Sequence, residues 1–299
     1  MSIIVLGTVA LDTVKTPYGA RRRMLGGSAV HFAMAARLFT GVNLVAIVGR
    51  DFPRRHIAFL RQKGINLTSL IRSAGKTFQW QGEYQGDLNT ALTLSTELGV
   101  LADFKPAVSR EQRSIRHIFL ANIDPDIQRH LLSCMRSPQL VALDSMNYWI
   151  KNKRPALVRL LKKVDIYVAN DQEARDLSGE HNLVKAAQKL RRLGARMVLI
   201  KKGEHGVLFS GAGSIFSLPA YPTARVVDPT GAGDTFAGGF MGYLTKVKKI
   251  NHASLKKALA FGTVAASFNI EGFGIKRTAN LRQQDLEKRL GGFRKLVLF

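Results

Sequence analysis

The most constraining feature of this sequence is a series of short apolar runs that alternate with longer stretches of helical periodicity. Six runs of four or five residues lack alternating polar positions: 3–6, 44–48, 118–121, 140–143, 166–169 and 197–200. Such runs are too short for helices, and strands without polar alternation are buried on both faces. Helical spacing recurs between them, at 28–39, 53–63, 125–135, 155–163 and 183–193. The pattern predicts an α/β fold, doubly wound, with a central, mostly parallel sheet flanked by helices.

Two stretches depart from this rhythm. Residues 13–23 contain a Pro-Tyr-Gly turn signal, and residues 76–99 include a period-two segment with Phe78, Trp80 and Tyr84 on one face. They predict strands of a small separate sheet, which would cover a pocket as a lid or simply pack on the core. Because no repeat, low-complexity segment or Gly/Ser linker interrupts the chain, we expect a single domain over all 299 residues with this sheet inserted in it.

Composition excludes several classes of protein and leaves one question open. Hydrophobic residues make up 46% of the chain, which is enough for a sizeable core and excludes intrinsic disorder. The single cysteine, Cys134, excludes an intramolecular disulfide and a Cys-based zinc site, and favours the cytoplasm. No apolar run approaches the ~18 residues of a membrane span. The chain has 45 Lys and Arg and 21 Asp and Glu, which gives a net charge of +24. Such a charge is compatible with binding of nucleic acid, with binding of an acidic substrate, or with a basic surface that has no specific partner.

The strongest chemical signal is a Gly-Ala-Gly turn at 231–233 that leads into Asp234 and a run of small and apolar residues. Backbone N–H groups at a helix start form a cradle for an anion, and glycine permits close approach of phosphate. A carboxylate in the first helical turn would face the cradle, so the segment supplies both a charge-stabilising site and a base for phosphoryl transfer. The alternative is a glycine-rich helix entry that Asp234 only caps. Neither a P-loop nor a dinucleotide fingerprint is present.

Residues 228–236, Asp-Pro-Thr-Gly-Ala-Gly-Asp-Thr-Phe, closely resemble the C-terminal signature of the ribokinase-like (PfkB) family of carbohydrate and nucleoside kinases. Further segments resemble family motifs in the same order along the chain: Asp12 after the first strand, Gly26-Gly27 before a helix, the Asn-x-x-Glu segment Asn170 to Glu173, and the Gly-x-x-Gly segment Gly203 to Gly206 after Lys202. The resemblance spans about residues 3–274. It implies a ribokinase-like fold with a small β-sheet lid.

The resemblance also implies a reaction, the transfer of the ATP γ-phosphate to a primary hydroxyl of a sugar or nucleoside. Asp234 would be the general base, and the N–H groups of Gly231, Ala232 and Gly233 the anion hole. The resemblance also implies that substrate is bound by Asp12, Gly26, Gly27, His31 and Asn89. It implies that the nucleotide is bound by Asn170, Lys202, Gly203, Gly206, Ala265 and Asn269. Two cation sites are implied as well: Mg²⁺ held through water by Glu173, and a monovalent cation such as K⁺ at Asp228 and Thr230. A homodimer formed through the lid is a further implication.

Two departures from the family pattern bear on the substrate. His31 stands where the family often has Asn, and Ala10 stands where ribokinases carry Asn. Both changes argue against ribose. His31 would hydrogen-bond a different hydroxyl or a base edge, or serve as a structural helix histidine. Because Arg21 to Arg23 are the only cations near the expected pocket, we favour a neutral sugar or nucleoside over a sugar phosphate.

The distribution of charge weakens the link to nucleic acid. No Lys or Arg occurs in residues 226–245 or in residues 77–104, which flank the expected site. The basic residues are scattered over the helical and loop stretches and lack the interleaved aromatic residues of a nucleic-acid platform. A basic nucleic-acid-binding protein built on a kinase-like scaffold remains the alternative. We expect the positive charge to be a surface property that helps to attract anionic ATP.

Overall fold

Strands and helices alternate along residues 1–211 and 213–298, the part of the chain that this computed structural model describes. The strands are β1 (Ser2–Leu6), β2 (Ala10–Thr16), β3 (Gly19–Gly26), β4 (Gly41–Val48), β5 (Ile65–Asn66), β6 (Leu70–Arg72), β7 (Gln79–Tyr84), β8 (Ala91–Glu97), β9 (His117–Leu120), β10 (Leu140–Asp144), β11 (Ile166–Asn170), β12 (Met197–Lys201), β13 (Val207–Gly211) and β14 (Ser214–Leu218). The helices are α1 (Ser28–Ala36), α2 (Arg54–Gln62), α3 (Pro125–Cys134), α4 (Asn147–Asn152), α5 (Arg154–Leu161), α6 (Asp171–Ser178), α7 (Leu183–Leu193), α8 (Ala232–Lys246), α9 (His252–Asn269), α10 (Lys276–Ala279) and α11 (Gln283–Val297).

The main sheet has the order β14-β13-β12-β11-β10-β9-β1-β4-β5, and β6 also pairs with β4. Its strands run parallel except β13 and β14, which are antiparallel to their neighbours. All six predicted apolar runs belong to this sheet, and the five predicted helical stretches correspond to α1, α2, α3, α5 and α7. The predicted α/β fold with a mostly parallel sheet is therefore confirmed.

Both faces of the main sheet are buried. Ile3 and Val5 of β1 belong to one hydrophobic cluster, which α1, α8 and α9 complete. Ile4 and Leu6 point to the opposite cluster, which α3, α5, α6 and α7 complete. This double coverage explains why the strands show no polar alternation in the sequence.

Glycines fix the position of α8, the helix that carries Asp234. A Cβ on Gly238 would overlap the Phe32 carbonyl of α1, and one on Gly239 would lie 2.9 Å from the Phe261 carbonyl of α9. The absence of side chains lets α8 lie directly against α1 and α9. The amino end of α8 is thereby held at the carboxyl edge of the parallel strands, where open α/β sheets bind ligands.

The small sheet has the order β3-β2-β7-β8. The β2–β3 and β7–β8 pairs are antiparallel, and β2 runs parallel to β7. Trp80 and Tyr84 pack beneath it with Val14 and Leu88, whereas Phe78 packs on the main core. The predicted separate sheet is confirmed, and two of its three predicted aromatic residues share one cluster. Within the described residues, no helix is long and apolar enough to cross a membrane.

Candidate active site

The amino end of α8 forms an open turn. Gly231 has φ 72°, and a Cβ at this position would overlap the imidazole of His31, so only glycine fits. The Ala232 N–H donates to the Pro229 carbonyl at 3.1 Å. The N–H groups of Gly231 and Gly233 make no hydrogen bond to any residue that the structure describes. Two of the three predicted anion-hole donors are thus free for a ligand, while the third closes the turn.

Asp234 lies in the first turn of α8 and is half-buried. Burial and the negative charge of Asp144 raise the pKa of Asp234 to about 7, although the Lys201 ammonium opposes them. A carboxyl group with a pKa near 7 is ionised in a large fraction of molecules at neutral pH, yet is basic enough to take a proton from a hydroxyl. The position and the pKa of Asp234 both suit a general base.

Next to Asp234 lies an ion pair for which no motif in the sequence predicts a role. The Lys201 ammonium, at the end of β12, donates to Asp144 Oδ2 at 2.9 Å, and the two side chains are 18% and 5% exposed. Burial tends to lower the pKa of Lys201, but the carboxylates of Asp144, Glu173 and Asp234 outweigh it and raise the pKa. Lys201 therefore stays charged. Both residues follow predicted strands, which was the signal available in the sequence.

Asn170 and Glu173 form two reciprocal hydrogen bonds at the start of α6. The Glu173 N–H donates to Asn170 Oδ1 at 2.7 Å, and the Asn170 N–H donates to Glu173 Oε2 at 2.7 Å. Burial and the charge of Asp144 raise the pKa of Glu173 to about 8. A buried carboxyl group that faces other carboxylates suits a divalent cation, and Mg²⁺ is commonly held by one or two carboxylates together with phosphate oxygens and water. Within the described residues no three His, Cys, Asp or Glu side chains form a group that could hold a metal ion, so Glu173 would hold Mg²⁺ through water and together with phosphate oxygens, and this role stays a prediction.

Asp12, on β2, lies close enough to Asp228 and Asp234 for the charges of the three carboxylates to interact. Its Oδ2 accepts a hydrogen bond from the Gly27 N–H at 3.1 Å, and a Cβ on Gly26 would overlap the same oxygen. Burial raises the pKa of Asp12 to about 7 against the effect of the Gly27 hydrogen bond, and the charges of Asp228 and Asp234 add to the rise. The Asp12 carboxylate thus lies against both glycines and close enough to Asp234 for their charges to interact, and its substrate-binding role stays a prediction.

His31 and Asn269 support the glycine turn. Asn269 Nδ2 donates to the Thr230 carbonyl at 2.8 Å, which leaves its Oδ1 to accept from the Thr235 hydroxyl at 3.0 Å and from His31 Nδ1 at 3.1 Å. Burial lowers the pKa of His31, so its ring is neutral with the proton on Nδ1. The polar groups of Asn269 are engaged within the protein. The predicted ligand contacts of these two residues stay predictions.

Asp228 joins two loops below the turn. Its Oδ1 accepts from the Thr230 N–H at 2.9 Å and its Oδ2 from the Gly274 N–H at 2.8 Å, and the residue is fully buried. The Thr230 hydroxyl donates to the Tyr84 hydroxyl at 3.4 Å, so the small sheet reaches the site. Burial raises the pKa of Tyr84 to about 12. The monovalent-cation role of Asp228 and Thr230 stays a prediction.

The predicted nucleotide loop lies beside the hairpin of the small sheet. The Lys202 N–H donates to the Gly206 carbonyl at 2.7 Å and closes the loop. Asn89, in the turn before β8, donates to Glu204 Oε1 at 3.1 Å, and a Cβ on Gly203 would lie 2.9 Å from its Oδ1. The structure therefore places Asn89 against this loop.

Ala265 lies where α9 packs against α8. It is fully buried in α9, where a Cβ on Gly239 of α8 would lie 3.0 Å from its side chain. Its observed surroundings are those of helix packing, and its predicted contact with the nucleotide stays a prediction.

The chain matches pfkB family carbohydrate kinases over residues 6–280. A cytidine kinase from Thermococcus kodakarensis is 32% identical over 248 residues, which are 81% of this chain and 87% of that protein. A ribokinase from Haemophilus influenzae is 33% identical over 146 residues, 46% of each chain. The crystal structure of Methanocaldococcus jannaschii nucleoside kinase, a member of the ribokinase family, has a TM-score of 0.79 at 20% identity and covers 97% of this chain and 98% of its own. These matches show a phosphotransferase with the ribokinase fold, and the chain belongs to the pfkB family of carbohydrate kinases.

Proposed function

We propose that this enzyme transfers the ATP γ-phosphate to the primary hydroxyl of a nucleoside, with Asp234 as the general base. The observation that carries the proposal is Asp234, with a pKa of about 7, at the open amino end of α8 and near the charge of Asp12. The likeness to a cytidine kinase over 81% of the chain supports a nucleoside, since the ribokinase match covers only 46%. The departures at Ala10 and His31 also argue against ribose.

In this proposal the substrate hydroxyl gives its proton to Asp234, and its oxygen attacks the γ-phosphorus as the bond to ADP breaks. The free N–H groups of Gly231 and Gly233 and the dipole of α8 stabilise the charge on the transferred phosphoryl group. Asp12 and Gly27 hold substrate hydroxyls. When bound, Mg²⁺ would neutralise phosphate charge, and Asn170 and Glu173 would hold it.

A panel of acceptors tests the substrate class. With ATP as donor, we expect kcat/KM for cytidine, uridine, adenosine or inosine to exceed that for ribose and fructose by about tenfold or more, because a nucleoside offers a base whose buried contacts a free sugar leaves unmade. The measurement is steady-state release of ADP. A higher kcat/KM for ribose or fructose would show that the acceptor is a sugar and not a nucleoside. Absence of ADP formation with every acceptor would contradict the proposal.

The pH dependence of kcat/KM follows from the two raised carboxyl pKa values. Asp12 and Asp234 act as carboxylates, and both have a pKa of about 7 in place of the ordinary value of 3.8. Activity should therefore fall as the pH drops through 7 and not through 4, with a log–log slope between one and two. The Asp12→Asn variant removes one titrating group, so the slope of its log(kcat/KM) against pH should approach one. Its KM for the nucleoside should rise. A profile for the wild type that stays flat down to pH 5 would contradict both assignments.

We also propose that the small sheet forms a homodimer interface. Strand β8 lies at the sheet edge and exposes Leu92 and Leu94 by 57% and 48%, and Leu98 follows it with 39% exposed. Apolar side chains on an unpaired edge strand favour association with a second copy. Light scattering should show a dimer that the double variant Leu92→Glu/Leu94→Glu dissociates, while Val184→Glu on α7 does not. A monomeric wild type at micromolar concentration would refute the interface.

A further inference from the structure

The Lys201 ammonium lies at the glycine turn of α8. A Cβ on Gly233 would lie 2.9 Å from Lys201 Nζ, and the same nitrogen donates to Asp144 Oδ2 at 2.9 Å. The free N–H of Gly233 belongs to the cradle described above. The ammonium and the cradle donors therefore border the same space, although they come from β12 and α8.

A structural role alone accounts poorly for this ion pair. Asp144 and Lys201 are 5% and 18% exposed, and a buried pair of this kind contributes little net stability because both charges lose their hydration. The Asp144 carboxylate raises the pKa values of Asp234 and Glu173, and the Lys201 ammonium opposes this effect. What the pair does provide is a fixed positive charge beside an anion cradle.

We propose that Lys201 is a catalytic residue whose ammonium contacts the transferred phosphoryl group of ATP, and that Asp144 is a positioning residue that holds Lys201. An ammonium has three donors, and Asp144 occupies one of them, so others remain for phosphate oxygens. Charge in the transition state of phosphoryl transfer is spread over the equatorial oxygens, and a nearby cation stabilises it. Lys201 forms no covalent bond in this step. The inference rests on the phosphoryl transfer proposed above.

Four variants separate catalysis from folding. Lys201→Met should lower kcat about 10²–10³-fold, as loss of one charge-stabilising donor does, while the nucleoside KM stays within about threefold. Lys201→Arg should restore part of kcat because it keeps the charge. Asp144→Asn should lower kcat less than Lys201→Met does. The matched control is Lys189→Met, which removes the pair between Lys189 on α7 and Glu180 in the preceding loop and should leave kcat unchanged.

The double variant Lys201→Met/Asp144→Asn is decisive, since it removes both buried charges and leaves neither unpaired. The proposal predicts that it folds and stays as slow as Lys201→Met. Titration calorimetry should also show weaker binding of ATP to Lys201→Met, with adenosine binding unchanged. Recovery of kcat in the double variant, or wild-type kcat in Lys201→Met, would overturn the catalytic role and leave the proposed function standing. If the wild type phosphorylates no acceptor, the proposed function itself fails.

Discussion

Replacing Asp234 by Asn should lower kcat by about 10²–10⁴-fold while ATP still binds. Asn keeps the shape of the side chain but cannot accept the proton of the substrate hydroxyl. The change also removes a half-buried negative charge close to Asp144, so we expect the melting temperature to stay the same or rise. Steady-state kinetics, calorimetric titration with ATP and thermal melting measure the three quantities.

The matched control is Asp285→Asn. Asp285 also lies in the first turn of a helix, α11, where it pairs with the exposed Arg282. The kcat of the Asp285→Asn variant should equal that of the wild type. If Asp234→Asn retains kcat within about tenfold of the wild type, then Asp234 is not the base, and the segment serves only as a helix entry.

Replacing Gly231 by Ala should lower the free energy of unfolding by about 2–5 kcal/mol, from the strain of a left-handed backbone and the overlap of the new Cβ with His31. The turn can relieve the overlap only by moving away from the imidazole. Because the free N–H groups move with it, kcat should also fall, by about 10²-fold for a shift near 1 Å. Chemical denaturation and steady-state kinetics measure the two effects.

The Gly64→Ala variant separates the effect of backbone strain from the effect of a contact between the new Cβ and a neighbouring side chain. Gly64 has φ 77°, close to the 72° of Gly231, but a Cβ there meets no heavy atom within 4 Å. This variant should lose only about 1–2 kcal/mol and keep its kcat. Equal effects of Gly231→Ala and Gly64→Ala on both stability and kcat would show that the contact with His31 does not position the turn.

The parts of the fold that depend on local patterns were predictable from the sequence. Strands that are buried on both faces form uninterrupted apolar runs in the sequence. The six apolar runs therefore predict the positions of six strands, β1, β4, β9, β10, β11 and β12. The Asn170–Glu173 capping box spans four residues and coincides with a motif, so its position also follows from sequence. The two-residue strand β5 and the three-residue strand β6 carry too little apolar pattern to be distinguished from turns.

The contacts that complete the site were not predictable, because they join residues far apart in sequence. Lys201 and Asp144 are 57 residues apart, and the parallel pairing of β10, β11 and β12 brings them together. The sequence places each at a strand end but does not give their pairing. His31 and Asn269 are 238 residues apart and meet because α1 and α9 both pack against α8. Only the structure shows that these two residues support the glycine turn.

The most direct test of the central claim is a competition assay. The wild type is incubated with ATP, Mg²⁺, cytidine and ribose in one tube, and the products are identified by mass spectrometry and ³¹P NMR. We expect one ADP for each phosphorylated nucleoside, with the phosphate on the primary hydroxyl, and loss of that product with Asp234→Asn. Phosphorylated ribose as the main product, or ADP and free phosphate without a phosphorylated nucleoside, would contradict it.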